Sequence, residues 1–124
     1  MPYPRKSKDR NVPTVIDGHR FASKAEAARY SELKLLQASG QVRWFIRQPR
    51  FDLPDGITYV ADFLVVWAAD ELSFEPRQVT VEDVKGVETD VFRLKRKLFE
   101  SRYGHLTIIS KGRKLTRPEA QPHG

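Results

Sequence analysis

At 124 residues and without a single cysteine, the chain has the length of one domain burying one core, and it can hold no disulfide, thiolate zinc site or cysteine nucleophile. It carries 22 Lys and Arg against 16 Asp and Glu, a net charge of +6, with the hydrophobic share of a soluble globular protein. It has no apolar run of about eighteen residues, so no spanning helix is expected, and its basic N-terminus leads into no apolar signal-peptide region; a cytoplasmic protein fits.

In chain order, residues 1–11 read as a flexible basic arm, residues 12–110 as a single domain, and residues 111–124 as a basic tail. Val15-Ile16-Asp17-Gly18-His19-Arg20-Phe21 places an Asp-Gly pair between two β-like runs, a hairpin signal. Ser23-Lys24-Ala25-Glu26 is a capping box that opens a helix. The apolar face of that helix is Ala27, Tyr30, Leu33 and Leu36, with Ala28 and Leu35 beside them and Gly40 as the stop. Val42 to Gln48 reads as a strand halted by Pro49, with Phe51-Asp52-Leu53 continuing it and Pro54-Asp55-Gly56 as a turn.

Two central strands follow, Ile57 to Trp67 and Val79 to Lys85, joined by a polar loop. Thr89 caps a second helix with apolar positions at Val91, Phe92, Leu94, Leu98, Phe99 and Tyr103. Gly104 ends it, and Leu106 to Ile109 is the last strand. After the hairpin the order is therefore helix, three strands, helix, strand. The three strands form a meander, and the second helix makes a crossover, right-handed by rule, that sets the last strand alongside. Trp44 and Trp67 suit base stacking, but strand tryptophans more often fill a core.

Charge is segregated along the chain. From Arg93 to Arg117 there are nine Lys and Arg against one acid, whereas from Asp70 to Asp90 there are seven acids against two bases. A basic flank beside an acidic centre suits a protein that holds a polyanion around a cation site; a solvated surface with separated charges is the plainer alternative.

The acids in the two central strands carry the chemistry. Asp62 lies in Tyr59-Val60-Ala61-Asp62-Phe63-Leu64-Val65, apolar on both sides, where an ionised carboxylate is costly unless paired or bound to a cation. In the second strand Asp83 and Lys85 share a face, because side chains alternate. Antiparallel pairing would stand Asp62 beside Asp83. One salt bridge to Lys85 would satisfy one acid but leave the group net negative. All-oxygen donors favour Mg²⁺ or Mn²⁺ over Zn²⁺ and point to metal-assisted phosphodiester hydrolysis. His19, His105 and His123 have neither ligand nor dyad spacing, and no Gly-rich phosphate loop is present.

Asp62 followed by Asp83-x-Lys85 on the next strand, in this element order, resembles the PD-(D/E)XK nuclease superfamily, which includes type II restriction enzymes and archaeal Holliday-junction resolvases. The stretches FASKAEAARYSELKLL, QPRFDL, TYVADF and VEDVKGVETDVFRLKRKLFESRYG are similar to small phage- and prophage-encoded proteins of that superfamily, and the resemblance covers Val15 to Ile109. It implies an α/β fold with an αβββαβ core, a central mixed sheet flanked by helices, preceded here by the N-terminal β-hairpin. It implies that Asp62 and Asp83 bind Mg²⁺ or Mn²⁺, that the Val84 carbonyl reaches the same ion, and that Lys85 is the catalytic lysine.

Glu26 matches a first-helix glutamate that serves as a further ligand or general base; local sequence alone gives it the capping role. Two departures stand out: Ala61 replaces the motif proline, and Asp83 stands where many members have Glu, with Glu82 beside it pointing to the other face. On the second helix, Lys95 shares a row with Val91 and Phe99 and is the choice for a base near the scissile phosphate. Arg93, Arg96 and Lys97 are phosphate-backbone contacts or solubility charges.

The expected function is thus a metal-dependent DNA endonuclease, structure-selective or weakly sequence-specific, in phage recombination, repair or DNA processing. Branched or single-stranded DNA is the expected partner, and a homodimer would be needed to cut two strands symmetrically. Two rivals are a non-catalytic nucleic-acid-binding accessory protein and a cleavage subunit active only in a larger assembly.

Overall fold

The computed structural model describes residues 13–69 and 78–110. The basic arm, the polar loop between the two acid-bearing strands and the basic tail lie outside the described residues. The element order is β1 (Thr14–Ile16), β2 (His19–Phe21), α1 (Lys24–Ala38), β3 (Val42–Arg47), β4 (Arg50–Asp52), β5 (Thr58–Val60), β6 (Phe63–Trp67), β7 (Val79–Lys85), α2 (Asp90–Tyr103) and β8 (Leu106–Ser110). The fold is mixed α/β.

The opening hairpin forms as its sequence predicts. Asp17 and Gly18 both take positive φ, 52° and 77°, the conformation a two-residue hairpin turn demands. Ser23 caps α1 by accepting from the Glu26 N–H at 3.1 Å. Gly40 at φ 88° closes the helix in a Schellman motif, with Gln41 N donating to Leu36 O and Gly40 N to Gln37 O.

The central sheet has four strands in the order β3-β6-β7-β8. The first two pairings are antiparallel; β7 and β8, joined through α2, run parallel. The α1 side of the sheet buries Phe21, Ala27, Tyr30, Leu33, Val42, Phe63, Val65 and Trp67. The α2 side buries Leu53, Tyr59, Ala61, Phe92, Phe99 and Leu106. Each large apolar side chain so enclosed contributes roughly 1.5–3 kcal/mol.

Three local expectations are corrected. Ile57 to Trp67 is not one strand: it breaks at Ala61 and Asp62 into β5 and β6, and β5 pairs with β4 in a separate ribbon. Gln48, at φ 52°, and Pro49 turn the partner chain at the same level, with Gln48 N donating to Asp62 O and Ala61 N to Pro49 O. The break lifts the ribbon out of the sheet so that Leu53 and Tyr59 pack beside α2.

On α1, Leu35 and Ala28 face outward and Arg29 takes an inward place, fully buried. On α2, Val91, Leu94 and Tyr103 are exposed, and the inward stripe is Phe92, Arg96 and Phe99. An i, i+4 row drifts about 40° per step on a 3.6-residue helix, so Val91–Lys95–Phe99 reaches the core only at its far end. The two tryptophans part company: Trp67 is wholly buried with its Nε1 donating to Thr80 Oγ1 at 2.9 Å, whereas Trp44 is 47% exposed.

Candidate active site

The register of β6 on β7 sets the site. Phe63 pairs with Glu82, so the preceding residue, Asp62, stands level with Asp83. Regular pairing stops there, and the Asp62 side chain takes over the ladder. Its Oδ2 accepts from the Val84 N–H at 2.7 Å, while its own N–H donates to Glu82 O at 3.1 Å. In a strand the N–H and C=O of one residue face the same neighbour, so the Val84 carbonyl projects toward the Asp62 side as well.

Asp83 is 2% exposed and lies between Tyr59, Lys85 and Asp62. The Tyr59 hydroxyl donates to its Oδ2. Lys85 Nζ stands 3.5 Å from its Oδ1 and rests 4.4 Å from the centre of the Phe92 ring. Burial, and then the hydrogen bond and charge of Asp62, push the Asp83 carboxyl up to about 7, against the opposing pull of Tyr59 and Lys85. Burial likewise raises Asp62, offset in part by its bonds from Asp83 and Val84 and reinforced by Glu26. The phenol of Tyr59 is raised by burial and by its bond to Asp83. Burial and mutual proximity thus both favour the neutral forms of these two carboxyls.

Glu26 comes from the other side. Its backbone N–H takes the Ser23 cap, but its carboxylate is a hydrogen-bonding and charge neighbour of Asp62. The two roles that local sequence sets in competition thus fall to different atoms: Ser23 caps the helix, and the Glu26 side chain joins the acids. The three carboxyls form a string, Glu26 to Asp62 to Asp83. Among the described residues, no three His, Cys, Asp or Glu side chains are gathered so that they could hold a metal ion by themselves.

Of the basic residues on α2, Arg96 belongs to the inward stripe beside Tyr59. It is half-buried, its positive charge acts on Tyr59, and it pairs loosely with Glu88 at 3.4 Å and Glu100 at 3.6 Å. Lys95 is half-buried at the margin of the inward stripe. Arg93 is exposed and tied to Asp90 at 2.9 Å, and Lys97 is exposed.

Sequence reasoning passed over two features of this region. Tyr59 lies three residues before Asp62, and a phenol in so apolar a stretch needs a partner for its O–H, which is the signal that could have found it. Glu82 does turn to the opposite face from Asp83, as alternation requires. There it meets Arg29 in a buried ion pair, Nε to Oε1 at 2.7 Å and Nη2 to Oε2 at 2.5 Å. A base on an apolar helix face and an acid in an apolar strand were each other's explanation.

Among the described residues no helix is long and apolar enough to cross a membrane. No curated protein and no solved structure matches the chain. Residues 6–117, which include both acid-bearing strands, both helices and the ribbon, match the family described as "Protein of unknown function (DUF1064)". The chain belongs to that family.

Proposed function

We propose that this protein is a metal-dependent DNA endonuclease built on a PD-(D/E)XK-type core, hydrolysing phosphodiester bonds in phage recombination, repair or DNA processing. The observation that supports the reading most directly is the level placement of Asp62 and Asp83, both raised in pKa, with Lys85 Nζ 3.5 Å from Asp83. Two touching acids in a dry space repel when both are charged, and a cation between them relieves that repulsion. Mg²⁺, which keeps several waters, needs only one or two carboxylates from the protein. Asp62, Asp83 and the Val84 carbonyl are all hard oxygen donors and fit such an ion; Glu26, touching Asp62, would reach it directly or through water.

A bound Mg²⁺ or Mn²⁺ would lower the pKa of a coordinated water and neutralise charge on the phosphate. The protein's own part is positioning. The Val84 N–H fixes one oxygen of Asp62, the Tyr59 hydroxyl fixes one of Asp83, and Phe92 props the Lys85 ammonium beside the acids. In hydrolysis, water oxygen bonds to phosphorus as the bond to the leaving ester oxygen breaks, and that oxygen takes up a proton from solvent. Lys85 is placed to stabilise the charge that gathers on the phosphoryl oxygens, and Glu26 to accept the water's proton. Arg96, with Lys95, Arg93 and Lys97 farther out, would hold neighbouring phosphates.

The test is cleavage of branched, single-stranded and duplex DNA with Mg²⁺ or Mn²⁺, comparing wild type with Asp83→Ala and Lys85→Ala. Metal-dependent nicking by wild type alone supports the proposal, and binding that weakens steeply with salt supports the phosphate contacts. A second reading, a non-catalytic nucleic-acid-binding protein, draws on the Tyr59 hydroxyl, which occupies Asp83 in the manner of a latch. Salt-sensitive binding without cleavage, unchanged in both variants, would favour it.

A further inference from the structure

Beyond the acid pair, the α2 side of the central sheet is covered unevenly. The ribbon and α2 enclose Val81, Leu106 and Ile108, on β7 and β8. The other half of that face carries Trp44 and Ile46 of β3, Leu64 and Val66 of β6, and Val79 of β7. Their common orientation follows from the register: Trp44 pairs with Val66, Ile46 with Leu64, and Val66 with Val79. Their β6 neighbours Phe63, Val65 and Trp67 alternate onto the α1 side. Among the described residues Trp44 is 47%, Ile46 45% and Val79 55% exposed, while Leu64 between them is half-buried and Val66 buried, so this half is an apolar floor open at those three side chains.

The floor runs directly out of the candidate site. Asp62 precedes Leu64 by two residues on the same face of β6, and Ile46 stands opposite Leu64. Trp44 lies two residues farther along β3, on the order of 14 Å from Asp62 by strand rise. Of the three arginines in the stretch Gln41-Val42-Arg43-Trp44-Phe45-Ile46-Arg47-Gln48-Pro49-Arg50, which holds no acid, Arg47 turns to the α1 side, its guanidinium 4.4 Å from the centre of the Phe21 ring and donating to Arg20 O, while Arg43 and Arg50 are exposed. An exposed indole on an apolar floor, edged by positive charge and continuous with a phosphate-cleaving centre, has the composition of a stacking platform for unpaired bases.

We infer that this face binds single-stranded DNA, with an unpaired base stacked on Trp44 while the strand's backbone runs toward Asp62 and Asp83. The inference rests on the nuclease reading for its direction, and it narrows the substrate to DNA presenting an unpaired strand. A stacked base is held by its π-face, so the platform tolerates any sequence and rejects a duplex, whose bases face one another.

The two tryptophans make the test specific. Trp67 is sealed in the core, so changes in emission on binding report Trp44. With the full chain in EDTA, oligo(dT) is expected to quench the fluorescence, and a duplex of equal length to leave it largely unchanged. Trp44→Leu, which keeps an apolar side chain, should weaken oligo(dT) binding about tenfold. It should leave duplex binding and the thermal melt near wild type, and Trp44→Phe should restore most of the loss.

Oligo(dT) binding equal in wild type and Trp44→Leu, or equal quenching by duplex, would overturn the inference. Tighter binding of oligo(rU) would overturn the DNA assignment, and an emission shift caused by protein concentration alone would assign the face to a second copy. Because no metal is present, a protein that cuts nothing can still show the quench. Failure of the nuclease reading is thus separable from failure of this one.

Discussion

Arg29 and Glu82 meet with two nitrogens against two oxygens, and neither side chain is exposed. The pair joins α1 to the strand that carries Asp83, on the sheet face opposite that acid. Desolvating two charges consumes most of what their attraction returns, so the pair's net contribution is small, while Glu82 alone would be stranded in the core and Arg29 alone would keep only the longer contact to Glu32, at 3.4 Å. Arg29→Ala or Glu82→Ala should therefore cost about 3–5 kcal/mol. The double replacement Arg29→Met with Glu82→Leu should lie near wild type. Urea unfolding of the three variants checks this, and a double variant as weak as the singles would disprove it.

Much of this architecture is legible in the residues, and what is not has a physical cause. The Asp-Gly turn, the Ser23 cap, the Gly40 stop and the β7–α2–β8 crossover all follow from local chemistry. The level placement of Asp62 and Asp83 follows from two-residue periodicity once antiparallel pairing is assumed. The break at Ala61-Asp62 is hidden because it depends on Gln48 and Pro49, which turn a different strand at the same height. Arg29 is hidden because a charged residue on a helix is ordinarily assigned to water, and only a partner 53 positions away reverses that. Trp44 is exposed because α2 and the ribbon leave its half of one face open, and Trp67 is buried because it faces α1, tertiary facts that strand patterns do not carry.

The raised Asp83 carboxyl makes stability pH-dependent. Asp83 titrates at about 7 in the fold, against 3.8 as its ordinary value. Below that ordinary value both folded and unfolded chains hold the proton, and the stabilisation from keeping Asp83 neutral is fully present. Between the two values the unfolded chain releases the proton and the fold retains it, so stability falls as pH rises, by about 1.4 kcal/mol per unit at most, and levels off above pH 7. Denaturation midpoints in EDTA from pH 5 to 8 should decline in wild type and decline less in Asp83→Asn. Parallel curves for the two proteins would contradict it.

Ser23 and Glu26 are separable by mutation. Loss of the Ser23 hydroxyl in Ser23→Ala should destabilise by about 1 kcal/mol, as for other N-caps. Glu26→Gln keeps the backbone cap and removes an acid that crowds Asp62, so its stability should match or exceed wild type. Were the Glu26 side chain a cap, the two variants would be equally destabilised in thermal melts.

Tyr59 distinguishes an orienting hydroxyl from a latch. Its ring packs 5.6 Å from Phe99, a contact that Tyr59→Phe retains, so the variant isolates the bond to Asp83. Leaving a buried carboxyl oxygen without its donor should cost about 1–3 kcal/mol. If the hydroxyl orients Asp83 toward a cation shared with Asp62, Tyr59→Phe should also weaken Mn²⁺ binding about tenfold, as outer partners of metal ligands commonly do. If it bars a cation from Asp83, the same variant should bind Mn²⁺ more tightly than wild type. Titration calorimetry gives the sign directly. We expect the loss, because Tyr59 takes only Oδ2 and leaves Oδ1, the oxygen nearest Lys85, for the chemistry.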